Sequence, residues 1–297
     1  MQDRLLNRSL NRSREKLPAA WILAGGLGTR LAGVLGDLPK VLAPIGERPF
    51  LDVLLDQLVA AGFERVVLLL GVQHQAVLDF LVDRGRRRAG QDATQDAKID
   101  GLRGDLMIDV SVEARPLGTG GALLHAQSHV DGPFFLLNGD TYLDFDATGM
   151  VERHRDTQAL VTMAAVERPD CRRFGSIDAD SEGILRGFRE KMESVGKGWI
   201  NAGVYLMQPD VMSFIADGRS VSLEGEVFPR LVSEGRRVAI ARQQGEFFDI
   251  GTPESLSEFE RFMLRRSSGD LAAILRRDPD EDVSHDRLPE AVLKEPV

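Results

Sequence analysis

Three glycines and two cations follow the first apolar run of this chain, and their types suit phosphate chemistry. Gly25, Gly26 and Gly28 come directly after the run, and Arg30 and Lys40 lie a little further on. Because glycine has no Cβ, its backbone can approach a ligand closely, and free N–H groups in such a turn form a concave anion site. The spacing fits neither the dinucleotide fingerprint nor the P-loop. The sequence predicts a polyphosphate site at the carboxyl end of the first strand, although a lone glycine-rich turn is also common as plain structure.

Two aspartates stand where apolar runs end. Asp140 closes the stretch Leu136–Asp140, and Asp249 follows Phe247 and Phe248. A carboxylate at the carboxyl end of a parallel strand points into the crevice in which open α/β sheets bind ligands. Two carboxylates together with phosphate oxygens make a hard-oxygen site, so we predict that this pair binds Mg²⁺. Taken singly, either aspartate is equally well explained as a turn residue or a helix N-cap.

Two further stretches carry groups that suit a sugar and its phosphate. Glu190 and Lys191 follow a strand pattern, and the apolar strand Trp199–Tyr205 contains one amide, Asn201, and one glycine, Gly203. The amide suits a sugar hydroxyl, and the glycine leaves room for the sugar ring. A solvated ion pair and a satisfied core amide are the structural alternatives.

Apolar periodicity places these residues on alternating strands and helices. The first half predicts strands at 18–24, 66–70, 106–112 and 134–137, helices at 50–63, 72–82 and 122–129, a second glycine turn at 117–121, and an exposed loop at 84–104. The second half predicts strands at 159–166, 174–179, 184–189 and 200–207 and helices at 209–216, 224–234, 253–265 and 270–277. This alternation predicts an α/β fold: a single Rossmann-like domain with a mostly parallel, mixed central sheet flanked by helices. We place that domain at 18–266, between a polar N-terminal extension (1–17) and a charged C-terminal tail (267–297).

Composition narrows the class of protein. The chain has 297 residues, of which 43% are hydrophobic and 28% charged, as in soluble globular proteins. No apolar run reaches the roughly 20 residues of a membrane helix, and the N-terminus lacks the apolar core of a signal peptide. The single cysteine, Cys171, fits a reducing compartment, so we expect a cytoplasmic protein without a membrane partner. The net charge of −9 argues against a nucleic-acid partner.

The motifs resemble those of the sugar-1-phosphate nucleotidylyltransferases, also called nucleoside-diphospho-sugar pyrophosphorylases. The matching pieces occur in the family's order and span about residues 18 to 265: Leu23–Leu31 with Leu38–Lys40, Pro116–Ala122, Asn138–Thr141, Glu190–Lys191, Asn201–Gly203 and Asp249–Pro253. Three stretches are most similar to the D-glycero-alpha-D-manno-heptose 1-phosphate guanylyltransferase branch: Trp199–Tyr205, Ser222–Glu224 and Phe248–Pro253. Mannose-1-phosphate guanylyltransferases resemble the chain nearly as well.

The resemblance implies a GT-A-like nucleotidyltransferase fold and a role in nucleotide-sugar biosynthesis for cell-surface polysaccharide. It implies the reaction of a nucleoside triphosphate with a sugar 1-phosphate to give an NDP-sugar and pyrophosphate. Such a transfer needs little covalent work, so positioning and charge neutralisation carry the catalysis.

The resemblance also implies roles for individual residues. The implied catalytic residues are Arg30, Lys40 and Lys191. The implied nucleotide-binding residues are Leu23, Gly25, Gly26, Gly28, Thr29, Arg30, Glu113 and Gly118. The implied sugar-phosphate-binding residues are Asn138, Gly139, Glu190, Lys191, Asn201 and Gly203, and Asp140 and Asp249 are the implied ligands of Mg²⁺.

The chemistry of Glu113 predicts which nucleotide base the site prefers. At this position the resembling uridylyl and thymidylyl enzymes carry Gln, whose amide can both donate to and accept from the imide edge of uracil or thymine. A carboxylate only accepts, which suits guanine, since its N1–H and exocyclic amine both donate. We therefore expect GTP as the nucleotide, with a surface charge on an edge strand as the alternative for Glu113.

Several alternatives stay open. The same reaction with mannose 1-phosphate or glucose 1-phosphate would need the same motifs. A non-catalytic sugar-nucleotide-binding protein would keep the fold, although it would be expected to lose some of the charged groups. A glycosyltransferase would commonly use an Asp-x-Asp metal motif, and Asp144–Asp146 has that spacing. Two departures from the family are the long segment 84–104 and Val41, where relatives often have Pro.

Overall fold

The computed structural model describes residues 16–26, 28–89, 106–171, 176–189 and 196–275. Its strands are β1 (Ala20–Leu23), β2 (Pro44–Ile45), β3 (Arg48–Pro49), β4 (Arg65–Leu70), β5 (Met107–Val112), β6 (Phe134–Asn138), β7 (Thr141–Leu143), β8 (Val161–Arg168), β9 (Ser176–Ala179), β10 (Leu185–Arg189), β11 (Gly198–Met207), β12 (Val238–Gln243) and β13 (Phe247–Asp249). Its α-helices are α1 (Ala32–Leu35), α2 (Phe50–Ala61), α3 (His74–Ala89), α4 (Gly118–His125), α5 (Ala147–Thr157), α6 (Phe228–Ser233) and α7 (Pro253–Leu275). Turns of 3₁₀ helix lie at Thr29–Leu31, Lys40–Leu42, Gln127–His129 and Pro209–Phe214, and a π-helical turn lies at Leu223–Val227.

A seven-stranded sheet in the order β12-β8-β11-β6-β1-β4-β5 forms the centre of the protein. The neighbours β6, β1, β4 and β5 run parallel, as do β8 and β12, whereas β11 is antiparallel to both β6 and β8. Strands buried on both faces need continuous apolar runs, and β4 has one in Val66–Leu70. The predicted α/β fold with a mostly parallel, mixed sheet is confirmed.

Helices cover both faces of this sheet, and alternate residues of each strand enter different cores. Ile22 of β1 and Phe135 of β6 pack in one apolar cluster, and Trp21 and Leu136 pack in the other. A third, smaller cluster joins α2 and α7 to the ribbon formed by β7 and β13, with the aromatic side chains of Phe50, Tyr142 and Phe259 at its centre. Within the described ranges, no helix combines the length and apolar character needed to cross a bilayer.

The helix α3 extends six residues into the segment predicted as an exposed loop, so that prediction is wrong for residues 84–89. Arg84 is only 7% exposed, and its guanidinium donates to Asp52 at 2.6 Å and to Asp56 at 2.7 Å. These partners lie on α2, and they stabilise a turn of helix that its own apolar pattern does not predict. The rest of the predicted loop, residues 90–104, lies outside the described residues.

Four other elements differ from the predictions. The second glycine turn is the first turn of α4, which therefore begins four residues earlier than predicted, because its small residues let it pack against the segment Arg219–Val221. α7 continues to Leu275 as one helix where two were predicted. The edge strand β12 was not predicted, and residues 209–216 form a short 3₁₀ helix, Pro209–Phe214, instead of an α-helix.

Candidate active site

The carboxyl ends of β1, β4 and β6 form the middle of the candidate site, because these parallel strands are neighbours in the sheet. Gly25, Gly71 and Asn138 stand at or just beyond those ends. Open α/β sheets bind ligands in the crevice outside this edge. The fold thus places the predicted glycine turn beside the Asn138–Thr141 motif.

Gly25 and Gly71 approach each other through their backbones. A Cβ added at Gly71 would lie 2.7 Å from the carbonyl oxygen of Gly25, and one added at Gly25 would lie 3.1 Å from the nitrogen of Gly71. Glycine at both positions lets the two turns close a small pocket that is also lined by Gly26, Pro39 and His74. Gly26 itself is exposed, and a Cβ added there would meet no atom within 4 Å, so its backbone is open to a ligand.

The two predicted cations flank the glycine turn. Gly28 has a φ of +57°, and a Cβ added there would lie 3.1 Å from Lys40 Cβ, so the turn rests directly against the lysine. Arg30 is exposed in the 3₁₀ turn Thr29–Leu31, which is anchored by the buried Leu31. The side chain of Thr29 lies outside the described part of the chain.

Lys40 and Asp140 form an ion pair between segments 100 residues apart. Lys40 Nζ donates to Asp140 Oδ2 at 2.6 Å, and the two side chains are 14% and 40% exposed. Val41 and Leu42 are buried in the same 3₁₀ turn and fix the lysine backbone. The other oxygen, Asp140 Oδ1, accepts from the hydroxyl of Thr141 at 3.3 Å. An ammonium held at this edge is placed to neutralise charge on phosphate oxygens.

The ribbon of β7 and β13 brings Asp140 and Asp249 to the same end of the structure. Thr141 pairs with Asp249 across the ribbon, and the nitrogen of Ile250 donates to the carbonyl oxygen of Asp140 at 3.0 Å. Asp249 Oδ1 accepts from the nitrogen of Gly251 at 2.8 Å, and Asp140 Oδ2 faces the ammonium of Lys40. Carboxylates are the hard donors that Mg²⁺ prefers, so the chemistry of this pair fits a divalent metal. Among the described residues, no group of three or more His, Cys, Asp or Glu gathers, so phosphate and water oxygens would complete such a site.

Asn138 ends β6 with an unsatisfied oxygen. Its Oδ1 is buried and has no hydrogen-bond partner among the described residues, which indicates that a ligand or water supplies the donor. Gly139 is buried directly against Leu23, whose carbonyl oxygen a Cβ at Gly139 would overlap. Gly203 has a φ of +68°, and a Cβ added there would lie 2.7 Å from Asn138 Nδ2.

Asn201 is half-buried on β11 and has partners on both sides of its amide. Nδ2 donates to the hydroxyl of Tyr205 at 2.7 Å, and Oδ1 accepts from the nitrogen of Gly203 at 3.0 Å. The pairing of β11 with β8 shifts register between Asn201 and Tyr205. These bonds leave the amide one N–H and one lone pair for a sugar hydroxyl.

Glu113 lies just beyond β5 and is 7% exposed. Its Oε2 accepts from the nitrogen of Leu117 at 3.3 Å, and its Oε1 would lie 3.4 Å from a Cβ added at Gly25. The carboxylate therefore faces the glycine turn, which argues against a simple surface charge. Burial raises the pKa of the Glu113 carboxyl. Gly118, with a φ of +73°, begins α4 and is exposed nearby in the chain.

Glu190 and Lys191 lie outside the described residues, so their roles stay predictions. In the Asp144–Asp146 motif, Asp146 caps α5, because its Oδ1 accepts from the nitrogen of Gly149 at 2.8 Å. This structural role accounts for one of the two aspartates on which a glycosyltransferase alternative depends.

Three residues of this region are absent from the predicted set: Gly71, Tyr205 and Glu224. Gly71 directly follows the apolar strand β4, so its position repeats the signal of Gly25. Tyr205 is fully buried and Glu224 is half-buried. The only sequence signal for them is that Trp199–Tyr205 and Ser222–Glu224 are similar to relatives.

Comparisons with known proteins identify the relatives of this chain. A family model described as nucleotidyl transferase matches residues 19–266. The chain is similar to the D-glycero-alpha-D-manno-heptose 1-phosphate guanylyltransferase of Campylobacter jejuni, with 29% identity over 81% of this chain and 97% of that protein. It is similar to the mannose-1-phosphate guanylyltransferase of Mycobacterium tuberculosis, with 32% identity over 90% of this chain and 70% of that protein.

Solved structures of nucleotidyltransferases are similar to this chain in fold. HddC from Yersinia pseudotuberculosis, complexed with GMP-PN, has 29% identity and a TM-score of 0.68, with 82% of this chain and 97% of that chain covered. The UTP-bound UGPase from Acinetobacter baumannii has 18% identity and a TM-score of 0.66, with 88% and 100% covered, and it supports the fold alone.

Proposed function

Because this chain belongs to the nucleotidyl transferase family and is a sugar-1-phosphate nucleotidylyltransferase, we propose that it uses GTP, Mg²⁺ and D-glycero-alpha-D-manno-heptose 1-phosphate. The reaction transfers GMP to the sugar phosphate and releases pyrophosphate. The ion pair of Lys40 with Asp140 at the carboxyl edge of the sheet is the observation that carries nucleotidyl transfer. It holds a cation and a carboxylate between the glycine turn and β11, where reacting phosphates would lie.

Each part of the crevice contributes through position and charge. The backbone of Gly25, Gly26 and Gly28 cradles the triphosphate, and Arg30 neutralises the departing pyrophosphate. Lys40 stabilises charge that develops on the reacting phosphate. In the same scheme, the motif residues Glu190 and Lys191 bind the sugar and its phosphate, and the free oxygen of Asn138 accepts a donor from the ligand.

The metal proposed for this site is Mg²⁺, held by Asp140 and Asp249. Both groups are hard oxygen donors at the same end of one ribbon. When bound, the metal would withdraw charge from phosphate oxygens. The carboxylate of Asp140 also orients Lys40, because Oδ2 accepts a hydrogen bond from Nζ at 2.6 Å.

Guanine is supported by Glu113. The carboxylate is nearly buried, and one of its oxygens faces the glycine turn. A carboxylate accepts from both guanine donors and offers no donor to uracil or thymine carbonyls. The relatives whose names specify guanylyl transfer support the same choice.

Two sugars are supported by separate relatives. The Campylobacter jejuni protein acts on the heptose phosphate and is covered over 97% of its length, whereas the mycobacterial protein acts on mannose 1-phosphate and is 32% identical. We favour the heptose because the aligned region covers 97% of the Campylobacter jejuni protein but 70% of the mycobacterial protein. Mannose 1-phosphate is the second candidate.

A substrate matrix tests the proposal. GTP, ATP, CTP, UTP and dTTP are each combined with the 1-phosphates of D-glycero-D-manno-heptose, mannose and glucose, and pyrophosphate release is measured with Mg²⁺. The expected result is the highest kcat/KM for GTP with the heptose phosphate. A higher value for mannose 1-phosphate would select the second candidate, and a preference for UTP or dTTP would contradict the guanylyl assignment.

A pair of lysine variants links the activity to this crevice. Lys40→Met should lower kcat by about 100-fold or more, since it removes a charge aimed at the reacting phosphate. Lys197→Met is the matched control, because Lys197 is a 68% exposed lysine that pairs with Glu167 at the surface. Equal activity in the two variants would contradict the role of Lys40.

A further inference from the structure

A chain of hydrogen bonds runs from the first turn of α4 to the strand that carries Asn201. The carboxylate of Glu224, in the π-helical turn Leu223–Val227, lies at its centre. Glu224 Oε1 accepts from the hydroxyl of Tyr205 at 3.2 Å, and Oε2 accepts from the hydroxyl of Thr119 at 3.1 Å. The Tyr205 oxygen in turn accepts from Asn201 Nδ2 at 2.7 Å. The network therefore joins the residue after Gly118 to the sugar side of the crevice.

The direction of each bond follows from the chemistry of the groups. An ionised carboxylate only accepts, so Tyr205 must donate its single proton to Glu224. The Tyr205 oxygen can then only accept from Asn201, which turns Nδ2 toward Tyr205. The amide oxygen is left facing Gly203, where the backbone N–H lies 3.0 Å away. Both faces of the Asn201 amide are thereby fixed.

The surroundings keep this arrangement rigid. Tyr205 is fully buried, so an alternative hydroxyl rotamer would leave its proton without water to accept it. Burial is the larger cause and the charge of Glu224 the second, and together they raise the pKa of Tyr205 well above its usual range. The hydroxyl therefore keeps the proton that it donates. The carboxylate is held from its other side, because Thr119 also accepts from the nitrogen of Leu223 at 2.8 Å.

We propose that Glu224 is a positioning residue for the sugar: through Tyr205 it fixes which side of the Asn201 amide donates and which accepts toward the crevice. This inference rests on the proposed function for its substrate and on the described contacts for its direction. It assigns a role to the Ser222–Glu224 motif. A sugar hydroxyl meets the remaining N–H and the remaining lone pair of Asn201, in an order set jointly by the N–H of Gly203 and by a carboxylate that does not touch the sugar.

The first test separates the KM values of the two substrates. Glu224→Met keeps the side-chain length but removes the acceptor, and Tyr205→Phe removes the hydroxyl. Both variants should raise KM for the sugar 1-phosphate about tenfold, the effect of one misdirected hydrogen bond. KM for the nucleoside triphosphate and kcat should stay within about twofold of the wild type. Glu224→Gln should raise the same KM, because the hydroxyls of Thr119 and Ser222 both donate to the Oε2 position and hold the amide oxygen there. The NH₂ then faces Tyr205, where the network needs an acceptor.

The matched control is an exposed glutamate outside the network. Glu234→Met removes a carboxylate at the end of α6, which binds Arg230 at the surface, and it should leave both KM values unchanged. The proposal is overturned if Glu224→Met leaves the KM for the sugar 1-phosphate unchanged or raises both KM values equally. It is also overturned if Glu224→Gln leaves the KM for the sugar 1-phosphate at the wild-type value.

A second test reads the hydrogen-bond direction without turnover, so it stands even if the proposed substrates are wrong. Asn201→Asp puts an acceptor opposite Tyr205, whose proton is committed to Glu224, and it should lower Tm in the wild-type background. In Glu224→Met the hydroxyl can turn to the new carboxylate, so the Tm loss should shrink. In Tyr205→Phe the opposing lone pair is gone while the charge of Glu224 remains, so the loss should shrink there as well.

The two backgrounds distinguish the explanations. A Tm loss from Asn201→Asp that is equal in all three backgrounds would overturn the proposed direction of the network. A loss relieved by Glu224→Met but not by Tyr205→Phe would show repulsion between carboxylates, which also overturns it.

Discussion

Substituting Glu113 by Gln should reverse the polarity of the atom that, in the proposed function, faces the nucleotide base. In the wild type, Oε2 accepts from the nitrogen of Leu117 at 3.3 Å, and Oε1 faces the glycine turn at Gly25. The N–H of Leu117 still needs an acceptor after the substitution, so the amide oxygen takes that place. The NH₂ group then occupies the position of Oε1. A donor therefore replaces an acceptor on the side of the crevice where the guanine amine would bind.

The magnitude follows from the charge and burial of this group. A hydrogen bond to a charged group contributes about 1.5–3 kcal/mol, so losing it should lower kcat/KM for GTP by about 10- to 150-fold. The effect is not screened away, because Glu113 is only 7% exposed. UTP and dTTP should lose nothing, since their carbonyl groups accept from the new amide.

The assay is pyrophosphate release with GTP and UTP at a saturating concentration of one sugar 1-phosphate. Asp109→Asn is the control, because Asp109 lies on the same strand, β5, and binds Arg65 at 2.8 Å. It changes a carboxylate to an amide without facing the crevice, so its GTP to UTP ratio should match the wild type. An unchanged ratio of kcat/KM in Glu113→Gln would refute the assignment of base choice to this residue.

Three other predictions concern the metal, the fold and the sugar pocket. Asp140→Asn and Asp249→Asn should each lower Mg²⁺-dependent pyrophosphate release by about 100-fold or more with an unchanged circular dichroism spectrum, and near-normal turnover in both would contradict the metal assignment. Burial lowers the pKa of His154 from 6.5 to about 4, so the unfolded chain binds the proton first and about 3 kcal/mol of stability is lost as pH falls from about 6.5 to about 4. Urea unfolding at pH 7 and pH 4.5 should show less of this loss in His154→Gln. Gly203→Ala places a methyl group against Asn138 at a φ of +68° and should lower the free energy of unfolding by about 1–3 kcal/mol, read from urea midpoints.

The fold was predictable where local sequence and burial agree. Strands such as β4 are buried on both faces, so their apolar runs identify them. The edge strand β12 was missed because Val238–Gln243 contains two alanines and an arginine, which are not strong β-formers. The last turns of α3 were missed because their stability comes from Asp52 and Asp56 on another helix, and periodicity does not report such contacts.

The candidate site was predictable in residue types but not in pairings. Glycines, a lysine and aspartates after apolar runs follow from the chemistry of phosphate and metal binding. The bond between Lys40 and Asp140 joins segments 100 residues apart, and only the order of strands in the sheet brings them together. Tyr205 and Glu224 carry no local signal, since a buried tyrosine and a helical glutamate are common. Their proposed role depends on which group accepts the hydroxyl proton of Tyr205, and that is set by contacts between segments that are distant in the sequence.

If Glu113 selects the base and Asn201 binds the sugar, as proposed, the two choices should be separable in this enzyme, because the sheet order places these residues apart. Glu113 follows β5 and Asn201 lies on β11, with β4, β1 and β6 between them. Four steps between neighbouring strands span about 19 Å, beyond the distance of about 10 Å within which substitutions usually couple. The double variant Glu113→Gln with Tyr205→Phe should therefore show the product of the two single effects on the GTP to UTP ratio and on KM for the sugar 1-phosphate. A coupling free energy above about 0.5 kcal/mol between them would show that the two ends of the crevice communicate. The turn Leu117–Thr119 is the connection that the structure offers, because Leu117 binds Glu113 and Thr119 binds Glu224.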